Sequence, residues 1–239
     1  GKIKEIQVAV GDTISQGGGI LSLEPAQGSG ALTPGAEQVS GPAKGPADLQ
    51  VEVVVLGAGP GGYTAAFRAA DLGKKTLLIE RHAELGGVCL NVGCIPSKAL
   101  LHAAEIISEA AAMEHMGISF APPEINLDKL RSGKDKVVKR LTQGLAALAK
   151  QRGVQVVKGW GTFESPNRIG VEGDKGRLSI QFDSAIIACG SRPVEIPGFP
   201  NGDPRLIDST GALELADIPS KMLVVGGGII GMKMATVYS

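Results

Sequence analysis

The stretch from Val51 to Glu80 constrains this chain more than any other. Val51 to Leu56 is apolar throughout except for Glu52, a pattern suited to the buried centre of a parallel sheet. Gly57-Ala58-Gly59-Pro60-Gly61-Gly62 follows and matches G-x-G-x-x-G at Gly57, Gly59 and Gly62. Gly57 is read as a tight turn, Gly59 as the point where a pyrophosphate meets bare backbone, and Gly62 as the place where a helix closes on the strand. The helix expected from Gly62 to Leu72 carries Ala65, Ala66, Ala69 and Ala70, small enough for close packing, and Gly73 ends it. Thr76 to Ile79 is a second strand. Glu80 closes it about 20 residues past the glycines, where a carboxylate accepts hydrogen bonds from ribose hydroxyls. A lone glycine motif carries little weight. Strand, glycines, small-residue helix, strand and acid in this order predict an α/β doubly wound, Rossmann-like sheet with a dinucleotide site.

Just downstream lies Gly86-Gly87-Val88-Cys89-Leu90-Asn91-Val92-Gly93-Cys94-Ile95-Pro96-Ser97-Lys98. Gly93 permits a turn between the cysteines by adopting backbone angles other residues avoid, and Pro96 fits the first turn of a following helix. Cys94 then sits at a helix N-terminus, where the dipole favours a thiolate, with Lys98 one turn on. A redox-active disulfide with a depressed thiol pKa suits this spacing. Two buried cysteines that never meet suit it as well. A zinc half-site fits less, because no second Cys or His pair lies nearby.

The run from Gly86 to Leu101 closely resembles the active-site segment of the pyridine nucleotide-disulfide oxidoreductases. Leu90, Ile95 and Ser97-Lys98-Ala99-Leu100-Leu101 resemble the dihydrolipoamide dehydrogenase branch of that family rather than its glutathione or mercuric reductases. The resemblance extends upstream through Tyr63 to Gly73. It implies a Cys89–Cys94 disulfide lying against FAD, with Cys89, Cys94 and Lys98 as catalytic residues. It places FAD at Gly57, Gly59, Gly61, Gly62, Glu80, Arg81, Gly86, Gly87, Val88, Cys89 and Lys98. Gly159-Trp160-Gly161-Thr162 resembles the backbone that touches the adenine end of FAD, with Gly161 in the site; Trp160 as plain core is the other reading. Ser184 to Pro193 resembles the strand that closes on the flavin domain and adds Gly190 and Ser191. Cys189 stands there where Thr or Ala is more usual and is read as an inert buried thiol. Met222 to Val225 reads as a buried strand feeding a second G-x-G-x-x-G, with Gly226, Gly228, Ile229, Ile230 and Gly231 placed at NAD.

The implied reaction oxidises dihydrolipoamide with NAD. Cys89 exchanges with the substrate dithiol, Cys94 faces the flavin, and Lys98 keeps Cys94 ionised and raises the flavin's electron affinity. The implied partners are the lipoyl domain of a 2-oxo acid dehydrogenase complex and, at full length, a second subunit. The pattern departs from the family at Lys233, where a glutamate paired with the lysine equivalent to Lys98 is usual. The rest of the NAD domain, a returning strand of the FAD domain, and the interface domain with its His–Glu acid–base pair are expected outside this chain. Three alternatives remain on these residues: a flavin-binding electron-transfer fragment, a non-catalytic docking module, and a related disulfide reductase.

Composition narrows the surroundings. Lys+Arg and Asp+Glu are 24 each among 239 residues, so no net field attracts nucleic acid or an anionic membrane. Three cysteines favour a reducing, cytoplasmic setting over a secreted scaffold, and the longest apolar run, Met222 to Met232, is too short to span a bilayer. The chain opens without methionine and reads as a piece of a longer one. Residues 1–24 alternate like a small β-unit and resemble half of a lipoyl domain, without its lipoylated lysine; a plain β-meander is the other reading. Residues 25–50 read as a Pro/Ala/Gly linker, 51–218 as the FAD domain and 219–239 as the start of the NAD domain. Long helices are expected over Pro96–Met116, with Leu100, Ile106 and Ile107 inward, and over Leu127–Gln151, with Val137, Val138, Leu141, Leu145 and Leu148 inward. Arg131 and Lys134 are expected on a solvated face. Val154–Val157, Arg168–Glu172 and Arg177–Phe182 are expected as three antiparallel strands. His82, His102 and His115 receive no role.

Overall fold

The computed structural model describes residues 2–6, 21–24 and 45–239. Two compact units divide between Val39 and Ser40. In the first, β1 (Lys2–Ile6) pairs antiparallel with β2 (Leu21–Glu24), Lys2 opposite Glu24. Residues 7–20 of the expected β-unit and most of the expected linker lie outside the described residues.

The second unit is an α/β sheet with helices. Its strands are β3 (Leu49–Leu56), β4 (Thr76–Glu80), β5 (Gln155–Lys158), β6 (Trp160–Ser165), β7 (Arg168–Gly173) and β8 (Gly176–Ile187), in the order β5-β4-β3-β8-β7-β6. Helix α1 (Pro60–Asp71) joins β3 to β4. After β4 come α2 (Gly87–Val92), α3 (Cys94–Ala112), a 3₁₀ turn (Met113–Met116) and α4 (Leu127–Gln151). Helices α5 (Ser209–Glu214) and α6 (Ile229–Tyr238) follow β8. All five residues of β4 are buried, as a strand covered on both faces requires. One face of the sheet buries Val54, Leu77, Ile79, Ile169 and Ile180. The other buries Val55, Leu78, Ala58 and Ala66 under the helices. Each fully buried Leu, Ile or Val here contributes about 1.5–3 kcal/mol.

The first βαβ unit, α3 and α4 form where the sequence predicts them. Other expectations are corrected. β5 pairs parallel with β4, Leu77 opposite Gln155, because a helix carries the chain back over the sheet and such a crossover delivers a parallel strand. β6 is an additional strand, antiparallel to β7. The strand expected at Arg177 and the one expected at Ser184 are a single β8, which pairs antiparallel with β7 and parallel with β3. Met222–Val225 forms no strand; Leu223 is 87% exposed, and no described strand lies alongside to take its backbone hydrogen bonds. Ile106 and Ile107 are exposed, as burial in α3 is confined to Pro96, Ser97 and Leu100 near its start. In α4 the buried residues are Thr142 and Ala149, while Leu141 and Leu148 are exposed.

Arg131 and Lys134 are not free in solvent. The Arg131 guanidinium donates to the Leu215 carbonyl at 3.0 Å and the Lys134 ammonium to Leu213 at 2.8 Å. The Tyr238 hydroxyl donates to Ala212 at 2.7 Å. Three donors thus take up carbonyls at the end of α5, where a helix leaves them without intrahelical partners. Leu215 follows in the left-handed region, φ 50°. Leu100 of α3 and Met234 of α6 share a buried cluster with Ala212, Leu213 and Leu215.

Candidate functional site: a glycine cradle beside two thiols

The site gathers where β3 and β4 end. Gly57 has φ +99°, and a Cβ there would stand 2.3 Å from the Ala188 carbonyl oxygen. A Cβ on Gly62 would stand 1.7 Å from the Gly57 carbonyl oxygen. Only glycine lets α1 start this close to the strand it follows. Gly59 is the N-cap of α1 and offers no side-chain cap, so the first N–H groups of the helix have no capping acceptor. Facing it is Gly87, φ +59°, whose Cβ would lie 2.6 Å from the Gly59 Cα. Gly61 is exposed and crowded by nothing.

Glu80 locks this cradle. It is 6% exposed, and its carboxylate accepts from the Ala58 amide at 2.9 Å and from the His82 amide at 2.9 Å. The Ala58 carbonyl accepts from the Gly86 amide at 2.8 Å. Two glycine loops and the acid at the end of β4 are therefore one hydrogen-bonded unit. Bare backbone, an uncapped helix start and carboxylate lone pairs suit a diphosphate and a ribose.

The second glycine loop leads into the cysteines. Gly86, φ +109°, is the N-cap of α2, and Asn91 holds the loop by donating to the Leu85 and Gly87 carbonyls. Cys89 lies inside α2 and Cys94 is the first residue of α3. Gly93 between them has φ −143°, so no positive φ demands a glycine; the demand is space. A Cβ there would sit 2.8 Å from the Val88 carbonyl oxygen and 3.2 Å from the Cys89 Cα. The consecutive helices bring the Cys89 and Cys94 side chains close enough that, beyond the effect of burial, Cys94 raises the proton affinity of Cys89. Both are free thiols, Cys89 half-buried and Cys94 exposed. Burial pushes the Cys89 thiol above its ordinary value, and Cys94 adds to the push; Lys98 pulls the other way. The group held protonated is thus the inner cysteine.

Lys98 and Val88 are exposed beside the pair. Neither Lys98 nor Lys233 makes an ion pair among the described residues. Arg81 lies over the ring of Trp160, 5.1 Å from its centroid, and Trp160 is 57% exposed, so it is not core. Gly161 faces inward, where a Cβ would meet Leu56 and Ile169. Gly190 and Ser191 lie exposed past β8. Cys189 is exposed as well, not buried, with its thiol 3.8 Å from the Leu56 carbonyl oxygen. Sequence reasoning missed Ala58 and His82, whose amides fix Glu80, and Asn91; an Asn one helical turn past a glycine loop was the available signal for the last.

The second glycine motif repeats the first. Gly226 has φ +111°, Gly228 caps α6 as Gly59 caps α1, and a Cβ on Gly231 would stand 2.2 Å from the Gly226 carbonyl oxygen. Ile229 and Ile230 are exposed.

Known proteins resemble this chain. The chain is 58% identical over 191 residues to a dihydrolipoyl dehydrogenase of Vibrio cholerae, and 55% identical over 193 residues to one of Haemophilus influenzae. Each match takes in 80% of this chain, which spans about 40% of the length of those relatives. Among solved structures, the HOCl-induced flavoprotein disulfide reductase RclA of Escherichia coli superposes with a TM-score of 0.66 at 28% identity, over 78% of this chain and 39% of that one. The family model for pyridine nucleotide-disulphide oxidoreductases matches residues 51–239, most of the sequence and both glycine motifs, and this chain belongs to that family.

Proposed function

We propose that this chain is the flavin- and disulfide-bearing part of an FAD-dependent dihydrolipoyl dehydrogenase, which oxidises dihydrolipoamide and reduces NAD. The observation that carries the reading is the Cys89–Cys94 thiol pair joined through one glycine loop to the Gly57–Gly62 cradle. The relatives' names support the substrate. Gly57, Gly59, Gly61, Gly62, Gly86 and Gly87 hold the FAD diphosphate on bare backbone, and Glu80 holds a ribose. Gly161, Gly190 and Ser191 border the flavin cofactor, with Arg81 and Val88. Gly226, Gly228, Ile229, Ile230 and Gly231 serve NAD. When bound, FAD supplies the route by which two electrons leave the dithiol for NAD.

The protein's own step is thiol–disulfide exchange. Cys89 and Cys94 begin as a disulfide. A substrate thiolate attacks Cys89 Sγ, the Cys89–Cys94 bond breaks, and Cys94 leaves as a thiolate at the start of α3, near Lys98. The second substrate thiol, once deprotonated, attacks the substrate sulfur bound to Cys89. Cys89 leaves and takes a proton, as its raised affinity for one favours. The substrate ends as the cyclic disulfide, and the protein pair holds its two electrons.

The partner is a lipoyl domain of a 2-oxo acid dehydrogenase complex, the full-length protein is a homodimer, and the setting is cytoplasmic. No described helix is long and apolar enough to cross a membrane. The test is a thiol count on FAD-loaded protein. Oxidised protein should expose one thiol of its three, Cys189, and stoichiometric dihydrolipoamide should raise the count to three. Three reactive thiols before and after substrate would refute the reading.

A further inference from the structure

Helix α5 has six residues, too few to hold itself, and side chains close both of its ends. At its start the Asp208 carboxylate accepts from the Gly211 amide at 2.9 Å. At its end the carbonyls of Ala212, Leu213 and Leu215 accept from Tyr238, Lys134 and Arg131. These donors come from α4 and α6, and Arg131 is itself oriented by donating to Asp128 at 2.6 Å. Ala212, Leu213 and Leu215 are at most 4% exposed, so a carbonyl that loses its donor finds little water to replace it. Burial and Asp217 raise the proton affinity of the Tyr238 phenol, which keeps it a donor. The chain between α5 and α6 has no comparable hold. Ile218, Leu223 and Val225 are exposed, and residues 222–225 pair with no described strand.

The cluster of Leu100, Leu213, Leu215 and Met234 draws α3, α5 and α6 together. Apolar contact has no direction, so by itself it lets one helix slide on another. Hydrogen bonds to particular carbonyls permit one register. We propose that Arg131, Lys134 and Tyr238 are positioning residues. By latching α5 they fix where α6, with the second glycine motif at its start, sits on the helix that carries Cys94 and Lys98. That this placement serves a dinucleotide rests on the NAD reading of residues 226–231; the latch itself does not.

Amide exchange of the purified chain reads the latch. Y238F removes one hydroxyl and keeps the ring, and K134M removes an ammonium and keeps most of the stem. Each should speed exchange over residues 229–238 about tenfold, while β3 and β4 exchange as in wild type. K134R, which restores a charged donor, should recover most of the lost protection. Added NAD should slow exchange over residues 226–238 in wild type, and less in Y238F. The latch is overturned if Y238F and K134M exchange as wild type does over residues 229–238, or if β3 and β4 speed up equally. It is also overturned if K134R is as fast as K134M, or if NAD protects Y238F as fully as wild type. NAD without effect on wild type removes the NAD reading and leaves the latch standing on the variants.

Discussion

At Cys89 two influences compete: burial and the neighbouring sulfur raise its proton affinity, and Lys98 lowers it. Replacing Lys98 with methionine should therefore move Cys89 titration to higher pH, and Cys94→Ser should move it lower, as read by the pH dependence of alkylation of Cys89. The sign carries to stability. A thiol whose folded value is raised stabilises the fold fully below the unfolded thiol range, and that share is lost as pH rises through the folded value. Glu80 is a second residue-scale test. Glu80→Ala orphans the amide of Ala58, which is 0% exposed, and should cost about 1–3 kcal/mol in chemical denaturation. Glu80→Gln keeps one acceptor oxygen and should cost less. Side-chain chemistry of this kind was only half legible in the sequence. The acid at the strand end was predictable from its spacing, whereas its partners Ala58 and His82 are backbone amides that any residue supplies. Exposure of Trp160 and Cys189 was not legible, because it depends on which strand neighbours them.

Among elements, the β3-α1-β4 unit was readable because part of its constraint is local: Gly62 crowds the Gly57 carbonyl five residues back. Gly62→Ala should cost about 3 kcal/mol and loosen the start of α1, since its Cβ meets a carbonyl oxygen that cannot move aside. Gly61→Ala meets nothing and should unfold like wild type, with its effect confined to cofactor affinity. Melting curves of the pair separate space from binding. Elements defined by distant partners were not readable. The alternating residues of β5 look the same whether the neighbour is parallel or antiparallel, and β8 is long because β3 and β7 both pair with it. Met222–Val225 has strand composition and no strand, since pairing needs a second edge. Helix α6 is held instead through Met234, 5% exposed, against Leu100. Met234→Ala should cost about 2–4 kcal/mol of local stability, seen as faster amide exchange over residues 229–238 than over β3 and β4.

The molecule ties both glycine motifs to the cysteine segment, the first through the Gly86–Ala58 hydrogen bond of the loop before the cysteines and the second through the Leu100–Met234 cluster that packs α3 on α6. The same α3 starts with Cys94 and carries Lys98, so along the chain the cysteine pair stands between the two glycine motifs. That order follows the sequence, and it is why the family was legible before the fold. The chain spans about 40% of the length of its dihydrolipoyl dehydrogenase relatives. The proposed function puts transfer of charge between Cys94 and a flavin in this part. The most direct test is the visible spectrum of FAD-loaded protein after two-electron reduction without oxygen. A long-wavelength charge-transfer band is the predicted result, absent in Cys94→Ser. In Cys89→Ser, which has no disulfide to take the electrons, the band should be present before reduction and vanish when the flavin itself is reduced. A flavin that binds but gives no band, or a band that survives loss of Cys94, would contradict the account.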